Sequence, residues 1–373
     1  MKSATEPITT DVLGTFGKGK KREKTYKKRG DVLLPDEKKN GATERQLSNS
    51  DAGDVFQISS HNYSDILSCL QDELDEKFSA KKKQSSVLGV VYQDLGLDNR
   101  AIRVFDCGSF LEFHVTPDEK NLVLANFCRD RLCPMCNWRR SLKIFSQVSQ
   151  VMDSGLLSGY QYLFLTLTVR NCSGIDLPST VQALYDGWRY LYHKNKEFRT
   201  VIKGSFRSLE ITRNKSNGSF HPHLHCILAV SPDYFKHGYI SQKRWSELWK
   251  KACGLEYVPI VDVKKIRSSA DGSLSGAVAE TTKYAVKGSD YLSPDDIGLS
   301  SEIVSTLLSA LSGRRLCGWT GVFNDARKQM NLDDAETGDL IFVDGQQNIR
   351  ADIQQLIVRY NWKCGVYVRS ING

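Results

Sequence analysis

The amino-acid sequence predicts an α+β fold, an antiparallel sheet with helices packed on one face, and three observations carry that reading. Residues 162–169, 205–212 and 220–230 are apolar stretches of strand length, rich in β-branched and aromatic residues. The second and third are joined by residues 213–219, whose Asn217-Gly218 pair marks a hairpin turn. Residues 177–199 and 241–254 instead repeat apolar residues at helical spacing.

Taken in order, residues 1–50 are a basic arm, with Lys18, Lys20, Lys21, Arg22, Lys24, Lys27, Lys28 and Arg29 between Gly17 and Gly30. So little there can be buried that the run cannot offset its ordering entropy, and it is expected to be disordered in isolation. It is either an electrostatic arm for DNA phosphates or a solvated tail. Residues 51–100 form a helical extension. Ile66, Leu67, Leu70 and Leu74 make an apolar stripe among Asp65, Asp72, Glu73 and Glu76, for packing on the main domain or on a partner. The main domain spans 101–325, and 326–373 has no assigned role. Within it, 162–169 is a strand and 177–199 a helix with Ser179 as N-cap and Val181, Leu184, Trp188 and Leu191 inward. Ser241 begins the next helix, Ile240 and Trp245 staple it, and Gly254 ends it. Residues 257–263 form another strand. Residues 278–287 form a helix with Gly288 at C′.

Three segments carry chemistry. Three of the seven histidines fall in Phe220-His221-Pro222-His223-Leu224-His225-Cys226-Ile227-Leu228. Strand side chains alternate faces, so His221, His223 and His225 project together while Leu224, Cys226 and Leu228 face a core. Imidazoles at i, i+2 and i+4 can converge on one divalent cation. The alternative is a half-buried strand whose polar face holds imidazoles. Glu210, on the neighbouring strand, can pair near His223 or His225 and add a carboxylate. Second, Cys128-x4-Cys133-Pro134-x-Cys136 has knuckle spacing for a structural Zn²⁺, with Cys107 the choice for the fourth ligand and His114 its competitor. The knuckle region runs 107–140; buried free thiols are the alternative. Third, on a helix Glu280 and Tyr284 are i, i+4 neighbours. Tyr284, beside a carboxylate and flanked by Lys283 and Lys287, is a candidate nucleophile toward phosphate.

In this order, the strand Phe164-Leu165-Thr166-Leu167-Thr168-Val169, the His-hydrophobe-His pair and Glu280-x-x-Lys283-Tyr284 resemble the three motifs of the HUH endonucleases. The chain is most similar to rolling-circle replication initiators (Rep) of small plasmids of Gram-positive bacteria. Cys128-Arg129-Asp130-Arg131-Leu132-Cys133-Pro134-Met135-Cys136, followed by Trp138-Arg139-Arg140-Ser141, and Gly318-Trp319-Thr320-Gly321-Val322-Phe323 fit the same group. The resemblance spans residues 100–325 and implies a ferredoxin-like sheet. It also implies Mg²⁺ or Mn²⁺ held by His223, His225 and Glu210, with His221 beside the metal or on phosphate. Tyr284 would attack single-stranded or cruciform origin DNA, leaving a 5′-phosphotyrosine and a 3′-OH primer. Glu280 would then activate water for the second cleavage. Tyr291, seven residues on, competes as a second nucleophile. Arg139 and Arg140 are expected at DNA, and Tyr190, Tyr192 and Trp319 at bases or in the core.

A net charge of +8 and a pI of about 8.8 suit a polyanionic partner without requiring one. There is no run of 18 apolar residues and no secretory signal, so no membrane partner is expected. A cytoplasmic location follows, with cysteines as thiols or metal ligands. Cys69, Cys172, Cys226, Cys253, Cys317 and Cys364 show no ligand spacing. No G-x-x-x-x-G-K-[ST] loop is present, so unwinding would fall to a host helicase. Competing readings are an HUH transposase or relaxase, a non-catalytic origin-binding initiator, and a zinc-stabilised interaction module. A relaxase places its nucleophile before the histidines, unlike this order.

Overall fold

The computed structural model describes residues 60–266, 278–279, 281–282, 286–343 and 355–370, with backbone alone for 60–62. The expected single sheet is two antiparallel sheets. The first has strand order β2-β1-β8-β9, from Phe110–Val115 (β1), Lys120–Ala125 (β2), Leu356–Lys363 (β8) and Val366–Arg369 (β9). Val358 lies opposite Phe113, so the C-terminal segment, left without a role by the sequence, completes this sheet.

On it packs the helical extension, α1 (Ser60–Glu73) and α2 (Ser79–Asp94), joined through a π-helical turn at Leu74–Phe78. Leu70 and Leu74 are buried, as their spacing predicts; Phe78 is buried too, and its ring meets Phe113, Trp138 and Tyr367 edge-on. A short α3 (Asp98–Asp106) then leads to Cys107 and the β1–β2 hairpin.

The second sheet has order β6-β3-β5-β4-β7, from Gln161–Thr168 (β3), Ile202–Arg213 (β4), Phe220–Val230 (β5), Val261–Lys265 (β6) and Cys317–Thr320 (β7). Helices cover both its faces, not one. Leu163, Leu165, Leu167, Leu209, Leu224, Cys226 and Leu228 meet α5 (Leu177–His193) and α8 (Gln242–Cys253). The opposite parity, Phe206, Ile227 and Ala229, meets α4 (Pro134–Asp153) and the helix Gly321–Gln329. A sheet whose two faces are both apolar needs both covered.

Element boundaries differ from expectation in four places. The helix expected over 177–199 breaks at Asn195, whose side chain accepts from the Phe198 amide and starts α6 (Lys196–Val201). Ser179 is not the N-cap; its hydroxyl donates to the Asp176 carbonyl inside the first turn. The strand expected at 257–263 begins only at Val261, opposite Leu167 on β3, while the Tyr257 ring before it packs on Arg170, with Arg170 Cζ 4.0 Å from the ring centroid. Gly288 does not follow a helix: it opens the four-residue helix Gly288–Tyr291, with Lys287 at its N-cap. By contrast α8 is bounded as expected. Ser241 accepts from the Arg244 amide, and Gly254 adopts φ +64°, which a side chain disfavours.

Candidate functional site

The hairpin register builds the site. Glu210 lies opposite His223 and Ser208 opposite His225 on β4, while on β3 Thr168 lies opposite His223 and Thr166 opposite His225. Strand alternation turns these side chains to the face covered by α4. His225 Nε2 is 2.9 Å and His223 Nε2 3.3 Å from one Glu210 carboxylate oxygen, and the two Nε2 atoms are 3.1 Å apart. All three residues are buried. His223 Nδ1 faces the His221 carbonyl at 3.1 Å, and His225 Nδ1 faces the Thr166 hydroxyl at 3.3 Å. Nδ1–H donation to these acceptors would free both Nε2 lone pairs for a metal ion, whereas without an ion an Nε2–H donates to the carboxylate. Burial opposes ionisation of Glu210, but hydrogen bonds from the two imidazoles outweigh it and hold the carboxyl well below its usual range. Two imidazole nitrogens and one carboxylate oxygen on one spot form a group able to hold a metal ion.

His221 stands apart from this cluster: its Nδ1 is 2.8 Å from Asn171 Oδ1, although its ring neighbours that of His223. Ser208, next to His225 in register, donates its hydroxyl to the Thr281 carbonyl. Val278 is buried against the α4-side core and the Thr282 amide bonds the Val278 carbonyl at 2.9 Å, so 278–282 carries a helical hydrogen bond beside the cluster. Glu280, Lys283 and Tyr284 lie outside the described residues. Lys287 is exposed. Tyr291 is buried, and its hydroxyl donates to the Leu132 carbonyl, which removes it from any solvent-facing reaction site.

Cys107, Cys128, Cys133 and Cys136 form a second group able to hold a metal, their sulfurs within 4.8 Å of one another. The β1–β2 hairpin returns the chain from Cys107 to Cys128. Backbone amides of Cys128, Arg129 and Asp130 point at Cys107, Cys136 and Cys128 sulfurs at 3.3, 3.2 and 3.4 Å. Arg129 takes φ +59° at this turn, an uncommon conformation for a residue with a side chain. Burial opposes ionisation of Cys133, yet hydrogen bonds from the other three thiols and Ser85 hold it well below the usual thiol range. Lys82, fully buried, donates to the Cys107 carbonyl at 2.9 Å. Asp130 ties the loop to the helices, accepting from Tyr92 and in a fork from Arg100 at 2.9 and 2.7 Å. His114 is not in this group; its Nδ1 meets Gln355.

Arg139 and Arg140 correct an expectation. Both are buried on α4, not displayed to DNA. Arg139 donates to the carbonyls of Leu340 and Ile341, and Arg140 to those of Arg129, Asp130 and Glu336. Buried guanidinium groups satisfied by carbonyls hold chain segments together. Tyr192 bonds Ser205 and Thr320, and Trp319 packs on Phe206. The residues that sequence reasoning missed are Thr166, Ser208, Lys82 and Ser85, each an unremarkable type in an unremarkable spacing.

A family model described as a replication protein matches residues 119–368. The chain belongs to the replication protein family. This agrees with the resemblance to rolling-circle Rep initiators drawn from the motifs. Among family relatives, a "Protein rep" from Bacillus sp is 38% identical over 261 residues, covering 65% of this chain and 84% of that protein. A "Protein rep" from Streptococcus pneumoniae serotype 2 (strain D39 / NCTC 7466) is 32% identical over 295 residues, covering 77% and 90%. One from Lentilactobacillus hilgardii is 37% identical over 272 residues, covering 70% and 85%. No solved structure matches the chain. No helix among the described residues is long and apolar enough to cross a membrane.

Proposed function

We propose that this family member initiates plasmid rolling-circle replication by nicking one strand of its origin through Tyr284. The observation that carries the reading is the Ser208–Thr281 hydrogen bond. It holds Thr281, in the sequence between Glu280 and Tyr284, at the strand position opposite His225 of the Glu210–His223–His225 cluster. Three residues of chain from Thr281 span at most about 11 Å, a reach that supports Tyr284 acting at that cluster.

His223, His225 and Glu210 would hold a divalent cation. The mixed nitrogen and oxygen donors suit Mn²⁺ and accept Mg²⁺ less readily. The bound cation would supply Lewis-acid polarisation of the scissile phosphodiester. The Tyr284 oxygen attacks phosphorus, the tyrosine–phosphorus bond forms, and the bond to the 3′ oxygen breaks, leaving a 3′-OH primer and a 5′-phosphotyrosine. A free phenol titrates near pH 10, so it releases its proton to solvent as it attacks, the departing 3′ oxygen takes one up from solvent, and Lys283 and Lys287 offset the phosphate charge. Glu280 would take a proton from water for the terminating cleavage. Thr166 and the His221 carbonyl fix the imidazole tautomers.

The cysteine group fits structural zinc. A ZnS₄ tetrahedron with Zn–S of about 2.3 Å has edges of about 3.8 Å. The described sulfur–sulfur distances are 3.5, 3.6 and 3.6 Å.

The test is a nicking assay on labelled single-stranded oligonucleotides drawn from the encoding plasmid or genome, with Mn²⁺ or EDTA and with Tyr284→Phe alongside. Metal-dependent cutting that leaves DNA covalently attached to wild type but not to the variant is expected. DNA binding without an adduct under any condition would instead support a non-catalytic origin-binding initiator.

A further inference from the structure

One cavity of the second sheet's α4 side is not absorbed by the chemistry above. It has a volume of about 400 Å³ and lies between α2, α4 and the segments on either side of the tyrosine motif. Such a volume falls in the range of small-ligand sites. Lys81, Gln84, Asn137, Trp138, Phe145 and Lys287 are among its lining residues.

Two of these carry orphaned polar atoms. Asn137 is 5% exposed, and its Nδ2 has no hydrogen-bond partner among the described residues. Its Oδ1 accepts from Arg140, which fixes which end of the carboxamide is spoken for. Gln84 Oε1 is likewise without a partner. A buried amide donor left unpaired is costly, and a ligand acceptor would recover that cost. Donor and acceptor in one cavity match the edge of a nucleobase, which presents both types. Trp138 and Phe145 offer ring surface for stacking, and Lys81 and Lys287 supply positive charge for backbone phosphate.

The position is informative too. Ala279 and Thr282 line the cavity, while Thr281 between them is bonded to Ser208 at the metal-binding group. The cavity and that group therefore lie on different sides of one short helical segment, whose cross-section is about 10–12 Å.

We propose that this cavity receives one unstacked base of the single strand, flanking the scissile phosphate. The proposal rests on the nicking reading for its register on the DNA but not for its chemistry.

It is tested by fluorescence anisotropy with full-length protein and a series of labelled origin oligonucleotides, each with one abasic position. Wild type is expected to lose affinity at one position by roughly 5- to 150-fold, the worth of one stacked base. Gln84→Ala and Trp138→Ala are expected to weaken binding of the intact strand and to lose the penalty at that position. Trp138 also packs on Phe78, so Gln84→Ala, at a half-buried helix position, serves as the variant least able to disturb folding. The same abasic penalty in wild type and in both variants would overturn the pocket. Adduct formation with no such position would also sink the pocket while leaving the nicking reading intact. A position-dependent penalty removed by the variants, with no adduct ever formed, would uphold the pocket and sink the nicking reading.

Discussion

Replacing Cys133 with serine is expected to unfold the knuckle and to release one zinc ion per chain. The structure sets the scale. Four sulfurs converge within 4.8 Å, and the ammonium of Lys82 is buried beside them. Burial drags the Lys82 pKa down while the surrounding thiols pull it back up, so the ammonium has reason to be there when sulfurs are ionised. Four thiolates and one Zn²⁺ carry two net negative charges, and Lys82 offsets one. Without metal the same pocket keeps its buried cation but loses the ion that draws the four sulfurs together, which is costly. Structural zinc in small domains contributes roughly 10–16 kcal/mol of apparent binding energy, against about 5–15 kcal/mol for the whole stability of a domain. A loss of even about 5 kcal/mol would lower Tm by roughly 10–20 °C in a domain of this size. Metal content by mass spectrometry and calorimetry with and without chelator read this out, with Cys69→Ala, exposed and outside the group, as control. Wild-type protein that purifies without zinc and melts at the same temperature in chelator would refute the reasoning.

Three further outcomes follow from particular contacts. Ser208→Ala removes the hydroxyl that holds the Thr281 carbonyl. Stability should fall by only about 1 kcal/mol, while the nicking rate drops by at least tenfold; an unchanged rate would show that the anchor does not position the tyrosine. Asp334 is disfavoured as an anion by burial, but donation from Arg315 outweighs this and lowers its pKa from 3.8 to about 2. Its contribution is present above the unfolded value and lost as pH falls through the folded one. The full shift is worth at most about 2.5 kcal/mol, and screening at this partly exposed pair reduces it to under about 1 kcal/mol. Asp334→Asn should thus cost that amount at pH 7 and progressively less as pH falls toward and below 2 in chemical denaturation. At Gly187 an added Cβ would collide with Cys253 Sγ and meet the Trp249 ring at 3.0 Å, wedging α5 from α8. Overpacking of about 1–3 kcal/mol should exceed the gain of about 1 kcal/mol in helix propensity, so Gly187→Ala lowers Tm.

Much of the second sheet was legible because its signals are local. The β4–β5 hairpin centres between Ser216 and Asn217, and every pair from Ser205 opposite Leu228 to Arg213 opposite Phe220 is equidistant from that point. The Asn217-Gly218 signal left Glu210 near His223 or His225, and the register, centred one residue earlier, chose His223 and set Ser208 opposite His225. The α8 caps were readable for the same reason, since Ser241 and Gly254 act on backbone within four residues. The helix break at Asn195 was hidden because the apolar stripe of α5 continues through Phe198, which is buried like its predecessors. Arg139 and Arg140 misled because two adjacent arginines look alike whether they face phosphates or buried carbonyls. The carbonyls they meet at Glu336, Leu340 and Ile341 lie some two hundred positions away.

The sequence by itself determined the family, the strand that sets His223 and His225 on one side, and the spacing of the cysteine loop, because each depends on periodicity or on residues a few positions apart. Tertiary structure alone decided that β8 and β9 close the first sheet against β1, and that Lys82 is buried beside the four thiols. It alone decided that Ser208 bonds Thr281 beside the Glu210–His223–His225 cluster. Those contacts join residues from 25 to about 250 positions apart. Their pairing is chosen by burial and by the need of every buried polar group for a partner, which no local pattern encodes.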